Sequence, residues 1–469
     1  MTSRGIVYAV AALALLAGFF LTQFRITDDS RPFGKPAELA ELLRRNDVNV
    51  LFILVDTLRA DRLGAYGYER PTSPTLDKLA ATGVRFANHM SQSSWTKTSM
   101  ASVWTGMYPT RTGILRFNNA LPDTAIMPAE ILRDAGFVTA GIWRNGWVAP
   151  TFGFDQGFDV YHRPEIGAVI DGVRRKGQNP YAKIAGSDQD AAEGTIEFLR
   201  TYQSDRFFLY VHLMDAHQYL SDEESAVFGT SYSDLYDNSI LWTDKQIAAM
   251  LAALDRYGLR EETVVILASD HGEAFQEHGN EGHAKDLHRE VIRTPWIISL
   301  PFALEEPIVV DAMTENIDIW PTILDLLGQE PIESTDGVTR LPEILAAANV
   351  PSREAATPPR PSFAQLDRTW GRSELDPEPL IAVTTTDGWR YMQSSGARAG
   401  AKLYETSVDP LERENLLREG KAPMDSRRFD DLIENYFALP HPEWRGDVLD
   451  VELDDMQKGQ LRAIGYSLD

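Results

Sequence analysis

The sequence predicts an α/β fold organised around a mostly parallel central sheet. Three observations carry that reading. Residues 48–55 (VNVLFILV), 206–213 (RFFLYVHL) and 263–268 (TVVILA) are nearly continuous apolar runs. Such runs belong to strands buried on both faces. Helical stretches separate them, the longest being 234–257, closed by Gly258. That alternation is the signature of parallel strands joined by crossover helices. The 469 residues include no cysteine, so disulfides, thiolate metal ligands and cysteine nucleophiles are all excluded.

The elements follow in order. After Arg4 comes an apolar run, 5–21. At about 1.5 Å per residue it nearly crosses a ~30 Å hydrocarbon core. Two readings fit: an uncleaved single-pass anchor, favoured by its length, and a cleaved signal peptide. The first leaves the remainder of the chain membrane-anchored and extracytoplasmic; the second leaves it secreted. Residues 1–25 are thus an anchor or signal segment and 26–46 a stalk. The main catalytic domain is expected over 47–349 and a C-terminal subdomain over 350–469.

Within the main domain, 74–82 reads as a helix stopped by Gly83, and 128–135 as a helix ended by Gly136. Residues 137–143 and 296–300 read as further strands, 317–327 as a late helix, and 167–189 as a surface insertion. Residues 350–361 are rich in Pro, Ser and Ala and read as a linker. Beyond it, 380–385, 389–392 and 402–404 are short strands, the first two joined at Asp387-Gly388. They predict a small antiparallel unit.

The net charge is −24, which argues against nucleic acid as a partner. The sequence has no Walker A loop, no G-x-G-x-x-G after a strand, no G-x-S-x-G and no HExxH. Nucleotide motors, dinucleotide dehydrogenases, α/β-hydrolases and helix-borne metalloproteases lose their local support.

The chemistry gathers where ligands collect in open α/β sheets, at the carboxyl ends of strands. Run 48–55 leads into Asp56, and run 263–268 leads through Ser269 into Asp270 and His271. Acids at the ends of buried strands need a cationic partner. Two of them, one followed by histidine, point to a shared divalent metal ion. Carboxylates suit hard ions and the imidazole shifts preference toward zinc or manganese, so Ca, Mg, Mn and Zn stay open. Six of the nine histidines fall within 212–288: His212, His217, His271, His278, His283 and His288. Upstream, Trp95-Thr96-Lys97-Thr98-Ser99-Met100 opens a helix. Thr96 has two readings, a helix cap or a nucleophile at an anion-stabilising helix N-terminus.

These residues stand in an ordered set that resembles the sulfatase branch of the alkaline phosphatase superfamily. The set comprises Asp56-Thr57-Leu58-Arg59-Ala60-Asp61-Arg62, the block from Thr96 to Gly106 with Met107-Tyr108-Pro109, and Asp215-Ala216-His217. It continues with Ser269-Asp270-His271-Gly272-Glu273, Gly282-His283-Ala284-Lys285 and Arg293-Thr294-Pro295. It closes with Ile317-Asp318-Ile319-Trp320-Pro321-Thr322-Ile323-Leu324 and with Leu403-Tyr404-Glu405, Asp409-Pro410 and Asn415-Leu416. The resemblance implies an alkaline phosphatase/sulfatase-like α/β sandwich with a small C-terminal antiparallel subdomain. It implies one divalent metal ion held by Asp56, Asp270 and His271, with Thr57 where many members carry a second aspartate. Thr96 stands at the position that becomes formylglycine in sulfatases. His217 and His283 match histidines that contact the transferred group or protonate the leaving oxygen, and Lys285 matches a lysine on the anionic group. Lys97 is a second candidate for neutralising that group.

The departures redirect the reading. Threonine carries a methyl group on its β-carbon and is not expected to become formylglycine. The Pro and Arg expected two and four places after the nucleophile are Thr98 and Met100. Thr at this position looks like the nucleotide pyrophosphatases and the lipid-linked phosphoethanolamine and phosphoglycerol transferases. The expectation is a metal-dependent ester hydrolase or transferase in which Thr96 attacks a phosphate, or sulfate, ester. Its substrate would be a small anionic ester, a glycan or a lipid head group. The rival readings are a sulfatase working without the aldehyde and an inactive sulfatase-like binding protein.

Overall fold

Asn49–Val55 (β1), all seven residues buried, forms the middle of an eight-stranded sheet. The other strands are Val84–Met90 (β2), Val138–Ile142 (β3), Val160–His162 (β4), Phe207–Leu213 (β5), Thr263–Ala268 (β6), Trp296–Ser299 (β7) and Ile308–Glu315 (β8). Their order is β8-β2-β7-β6-β1-β5-β3-β4. β1 runs parallel to β5 and β6, with Val55 opposite Leu213 and Leu54 opposite both His212 and Ala268. Only β7 runs antiparallel to its neighbours, β2 and β6. The computed structural model describes residues 30–461 except 43, 165–185, 353–354, 373, 395–396, 419, 421, 454–456 and 460.

Alternation along β1 divides the core in two. Val50, Phe52 and Leu54 enter one cluster; Leu51, Ile53 and Val55 enter the other. Fully burying each such side chain contributes about 1.5–3 kcal/mol. Pro74–Ala81 (α1) covers the second face, as do Asp188–Thr201 (α4) and Tyr232–Arg256 (α5). The first face is covered by Thr96–Thr105 (α2), Pro128–Asp134 (α3) and Ile319–Leu326 (α6). There Trp104 and Trp320 stack at 5.4 Å and both meet Phe52 edge-on.

A second sheet follows. Ser362–Asp367 (β9), Pro379–Thr384 (β10), Trp389–Ser394 (β11) and Ala397–Glu405 (β12) form an antiparallel meander. Gly388 takes φ +87° in the turn between β10 and β11, a conformation that favours glycine. Arg427–Phe437 (α7) packs Phe429, Ile433 and Tyr436 into this sheet's own apolar cluster. The predicted α/β architecture and small antiparallel subdomain are both present.

Several elements differ from expectation. β2, β4 and β8 were not expected; β2 carries Arg85, Asn88 and His89 among its apolar residues, which blurs the pattern. β9 begins directly after the 350–361 linker segment. The insertion 167–189 lies largely outside the described residues, and its last two residues open α4. Residues 31–34, read from the sequence as stalk, are tied to the body instead. Phe33–Gly34 pairs in parallel with Ala303–Leu304, and the buried Arg31 guanidinium bonds Ser299 Oγ at 2.7 Å and the Leu300 carbonyl at 2.8 Å. The apolar run 5–21 lies outside the described residues, among which no helix is long and apolar enough to cross a membrane.

Candidate active site

The carboxyl ends of β1, β3, β5 and β6 converge with the N-terminus of α2. β1 delivers Asp56, β3 is followed by Asn145, β5 carries His212, and β6 is followed by Asp270 and His271. Asp56, Asp270 and His271 are fully buried, and their ligand atoms all lie within 4.8 Å of one another.

Each carboxylate is held by one oxygen. Asp56 Oδ2 accepts from Asn145 Nδ2 at 2.6 Å and lies 3.2 Å from His212 Nε2. Asp270 Oδ1 accepts the amides of His271 at 2.9 Å and Thr57 at 3.2 Å. The other two oxygens, Asp56 Oδ1 and Asp270 Oδ2, are buried without a hydrogen-bond partner. Burial, followed by the charge of Asp56, pushes the Asp270 carboxyl well above the usual range. Two buried carboxylates, each with an oxygen left over, fit a cation between them.

The imidazole completes that donor set. His271 Nδ1 donates to the Gly272 carbonyl at 2.9 Å, so Nε2 carries the lone pair. Nε2 lies 3.3 Å from Asp270 Oδ2 and 3.1 Å from Thr96 Oγ1. Thr96 is the first residue of α2, whose N-cap is Trp95. Its hydroxyl therefore faces the acidic pair from a helix N-terminus, where the dipole favours negative charge.

Thr57 is placed differently from expectation. It adopts φ +62°, a strained value for a β-branched residue. Its hydroxyl donates to the Asp56 carbonyl at 2.6 Å, and its amide, not its hydroxyl, meets Asp270. The Tyr236 hydroxyl donates to the Thr57 carbonyl at 2.6 Å and accepts the Arg59 amide at 2.9 Å, which fixes the turn.

His283 and His217 line up beyond His271. The ring centroids of His271 and His283 are 4.6 Å apart, and those of His283 and His217 are 4.9 Å apart. His283 Nδ1 bonds Glu273 Oε2 at 2.9 Å, while Tyr219 holds Glu273 Oε1 at 3.0 Å. Burial lowers both histidines, His283 to about 4. Burial lifts Glu273 to about 7.

The two lysines separate. Lys285 is exposed, bonds the Glu281 carbonyl at 2.5 Å, and is near enough to His283 to disfavour its protonation. Lys97, expected beside the anionic group, goes elsewhere. Its amine donates to the Phe117 carbonyl at 2.6 Å and sits 3.8 Å from the Phe152 ring centroid, with Trp95 and Trp147 also around it. It is the next residue on a helix from Thr96, so it leaves the axis in a different direction.

Two further residues join the site that the sequence pattern does not mark. His212, one of the clustered histidines, bridges Asp56 and the Tyr210 hydroxyl, the latter at 2.8 Å. The other is Asn145. Its Oδ1 accepts the Trp147 amide at 2.8 Å, which aims Nδ2 at Asp56 and, at 3.4 Å, at Thr96 Oγ1. An asparagine just past the end of a strand, before glycine, was the available signal. Its neighbour Arg144 is fully buried between Asp188 at 2.5 Å and Asp215 at 2.6 Å. That pair neutralises its charge and anchors the short helix Asp215–Gln218, which carries His217.

A second possible ligand group, His278, His288 and Glu412, does not fit a metal. All four ring nitrogens already have protein partners, one of them the Lys402 amine at 2.8 Å from His288 Nε2.

The Sulfatase family model matches residues 48–329, which span every residue of this site. The chain belongs to the sulfatase family. An N-acetylgalactosamine-6-O-sulfatase of Bacteroides thetaiotaomicron is 24% identical, covering 82% of this chain and 92% of the relative. An ulvan-active sulfatase of Formosa agariphila is 27% identical over 79% of this chain and 77% of its own. Among solved structures, a 2-O GAG sulfatase superposes with a TM-score of 0.67 at 19% identity, over 90% of this chain and 96% of the other. The phosphonate monoester hydrolase of Agrobacterium radiobacter gives 0.64 at 18% identity, over 83% and 95%. As a sulfatase-family protein the chain is an ester-hydrolysing enzyme.

Proposed function

We propose that this sulfatase-family enzyme hydrolyses anionic phosphate, phosphonate or sulfate monoesters, with Thr96 as the nucleophile. One observation carries the reading. The Thr96 hydroxyl lies 3.1 Å from an acceptor nitrogen and 3.4 Å from an amide donor, beside two buried carboxylate oxygens that lack hydrogen bonds. The sulfatases among the relatives, and the phosphonate monoester hydrolase among the structural neighbours, support anionic monoesters as the substrate class. Glycan-borne esters rank first, since the Bacteroides and Formosa relatives are named for sugar substrates.

The chain's own residues account for most of the chemistry. Thr96 Oγ1 forms the new bond to phosphorus or sulfur and gives up its proton to solvent, the single lone pair of His271 Nε2 being reserved for the metal ion. Asn145 Nδ2 orients that oxygen and donates toward the charge developing beside it. The bond from the central atom to the leaving oxygen breaks, and His283 or His217 supplies the proton that oxygen needs. The negative charge of a bound ester favours that protonation, which burial alone resists. Water then cleaves the Thr96 ester and restores the hydroxyl. Asp56, Asp270 and His271 would hold a divalent ion, which when bound polarises the ester and offsets the charge of the two carboxylates. With no arginine at the fourth place after the nucleophile and Arg144 neutralised by Asp188 and Asp215, Lys285 is the candidate cation for the anionic group among the described residues. The apolar run 5–21 would carry the domain out of the cytoplasm, as an anchor or a cleaved signal.

The test is turnover of paired chromogenic sulfate, phosphate and phosphonate monoesters by the purified chain, with Thr96→Ala as control. Thr96-dependent release from any of them supports the reading. Turnover unchanged in Thr96→Ala sinks it.

A further inference from the structure

Away from Thr96 and the acidic pair, a cavity of about 410 Å³ opens between the edge of the main sheet and the antiparallel subdomain. None of the residues at the catalytic cluster lines it. Its volume suits a ligand of sugar size, since small-molecule sites commonly span about 300–1,000 Å³. Five arginines line it, Arg289, Arg293, Arg340, Arg360 and Arg390, against a single acid, Asp311. In a chain of net charge −24, such a concentration of cations at one cavity demands a reason.

Three of the arginines are paired. Arg340 and Arg360 share Asp318, each at 2.7 Å, and Arg390 Nε meets Glu412 at 2.7 Å. Arg289 and Arg293 are not. They stand four residues apart, flanking one turn of helix (Arg289–Ile292), half-buried, and neither has a carboxylate within 4.0 Å among the described residues. Arg293 spends one terminal nitrogen on the Ala87 carbonyl at 3.1 Å, and its Nε is buried without a hydrogen bond. Arg289 makes a single long contact with the Pro410 carbonyl at 3.4 Å. Burial, and then Arg293 and Arg390 among its neighbours, lower Arg289 to about 10, so the charges oppose one another as they stand. Glu412 and Asp61, which partly offset them, are already committed, Glu412 to Arg390 and His288 and Asp61 to Arg59. Across the cavity stand Thr384 and Thr386; the Thr384 hydroxyl accepts from Arg390 and keeps its own proton to offer, whereas the Thr385 hydroxyl is already given to Asp387 and the Trp389 carbonyl.

We propose that this cavity is a second anion site, in which Arg289 and Arg293 bind a tetrahedral oxyanion, phosphate or sulfate, free or carried on a sugar. Paired guanidiniums with unused N–H groups match that geometry with bidentate contacts. The proposal is independent of the chemistry assigned to Thr96.

The test is phenylglyoxal modification of the purified full chain, mapped by mass spectrometry. Inorganic phosphate, inorganic sulfate and a sulfated disaccharide are compared with chloride at equal ionic strength. Protection of both Arg289 and Arg293 by at least about fivefold is expected. Protection by the inorganic ions assigns the site to a free anion, and protection by the disaccharide alone assigns it to a glycan substituent. Equal modification in all four solutions overturns the proposal. As a second measurement, R289Q/R293Q should lose the anion-dependent protection of the remaining cavity arginines while retaining turnover of a small chromogenic ester within about twofold. A folded double variant with protection intact overturns the proposal, as does one that loses small-ester turnover, because the cavity would then belong to catalysis.

Discussion

The Thr96 hydroxyl oxygen lies 3.1 Å from His271 Nε2, a nitrogen kept proton-free by the 2.9 Å bond from its partner Nδ1 to the Gly272 carbonyl. The tautomer is therefore set by the backbone, and the free lone pair is aimed at the hydroxyl. Thr96→Ala should lower kcat/KM by roughly 10³-fold or more, in line with the loss of a nucleophile. Thr96→Ser keeps the oxygen in place and should retain most of the activity. Steady-state kinetics on one chromogenic ester decide it; equal losses in both variants would leave the hydroxyl without a role.

The two orphaned oxygens, Asp56 Oδ1 and Asp270 Oδ2, make metal binding a stability question as well as a catalytic one. A ligand that binds only the folded state raises stability with concentration. Chelation should lower the melting temperature, and adding back a divalent ion should restore it. Asp270→Asn removes one of two repelling carboxylates. The metal-free variant should melt at or above the metal-free parent, yet gain little from added ion. Thermal melts with and without chelator check both statements. A parent chain indifferent to chelation and to added ion would count against a metal in this site.

Asn145 is held from both ends, by the Trp147 amide on Oδ1 and by Asp56 on Nδ2. Its donor is thus pre-oriented beside Thr96 before any substrate arrives. Removing a positioned donor of this kind typically costs about 10²–10³ in kcat. Asn145→Ala should fall in that range, with the loss in kcat larger than the change in KM. A change confined to KM would make it a binding residue only.

The contrast between Asp270 and Asn145 shows what the sequence discloses. Asp270 stands one residue past the strand-forming run 263–268 and is followed by histidine, so strand pattern and ligand chemistry point to it together. Asn145 also follows a strand closely, three residues past Ile142, but a neutral amide carries no chemical signature, and only the Trp147 bond reveals its direction. Lys97 failed for the opposite reason. Its charge suggested a role, while its direction from α2 places the amine among three aromatic rings. The fold was legible where strands are buried on both faces, as in β1, β5 and β6. It was not legible at β2 and β8, the edge pair, where polar residues interrupt the runs and a register shift breaks β8 between Val310 and Met313.

Arg144 provides a stability test of the scaffold. Its guanidinium is fully buried between Asp188 and Asp215, which also accept from Thr243 and from the Trp242 indole, each at 2.8 Å. Arg144→Met would leave two acids buried without their cation. Breaking a buried pair in this way costs about 3–5 kcal/mol. Chemical denaturation should show a loss of that order, and the turn bearing His217 should exchange its amides faster. A loss below about 1 kcal/mol would mean that water or rearrangement rescues the acids.

His278 gives the chain a pH dependence away from the catalytic cluster. Its Nδ1 meets Glu290 at 2.7 Å and its Nε2 meets the Glu412 carbonyl at 2.9 Å. Both partners are acceptors, so both nitrogens carry protons and the ring is a cation. It lies 3.5 Å from the parallel ring of His288, which bonds Glu412 and Lys402. Burial opposes the charge, but the hydrogen bond and charge of Glu290, with help from Glu412, outweigh it and raise His278 above 6.5. A histidine raised on folding contributes stability that is complete below its unfolded value and is lost as pH rises through the folded one. His278→Phe keeps the stacking and removes both hydrogen bonds. The parent should therefore exceed the variant in melting temperature at pH 6, and the gap should narrow steadily above pH 6.5. The loop that carries His278 also carries His283 and Lys285, so amide exchange across 274–290 should quicken over the same interval. A gap that stays constant with pH would mean that the ring is neutral and holds the subdomain by packing alone.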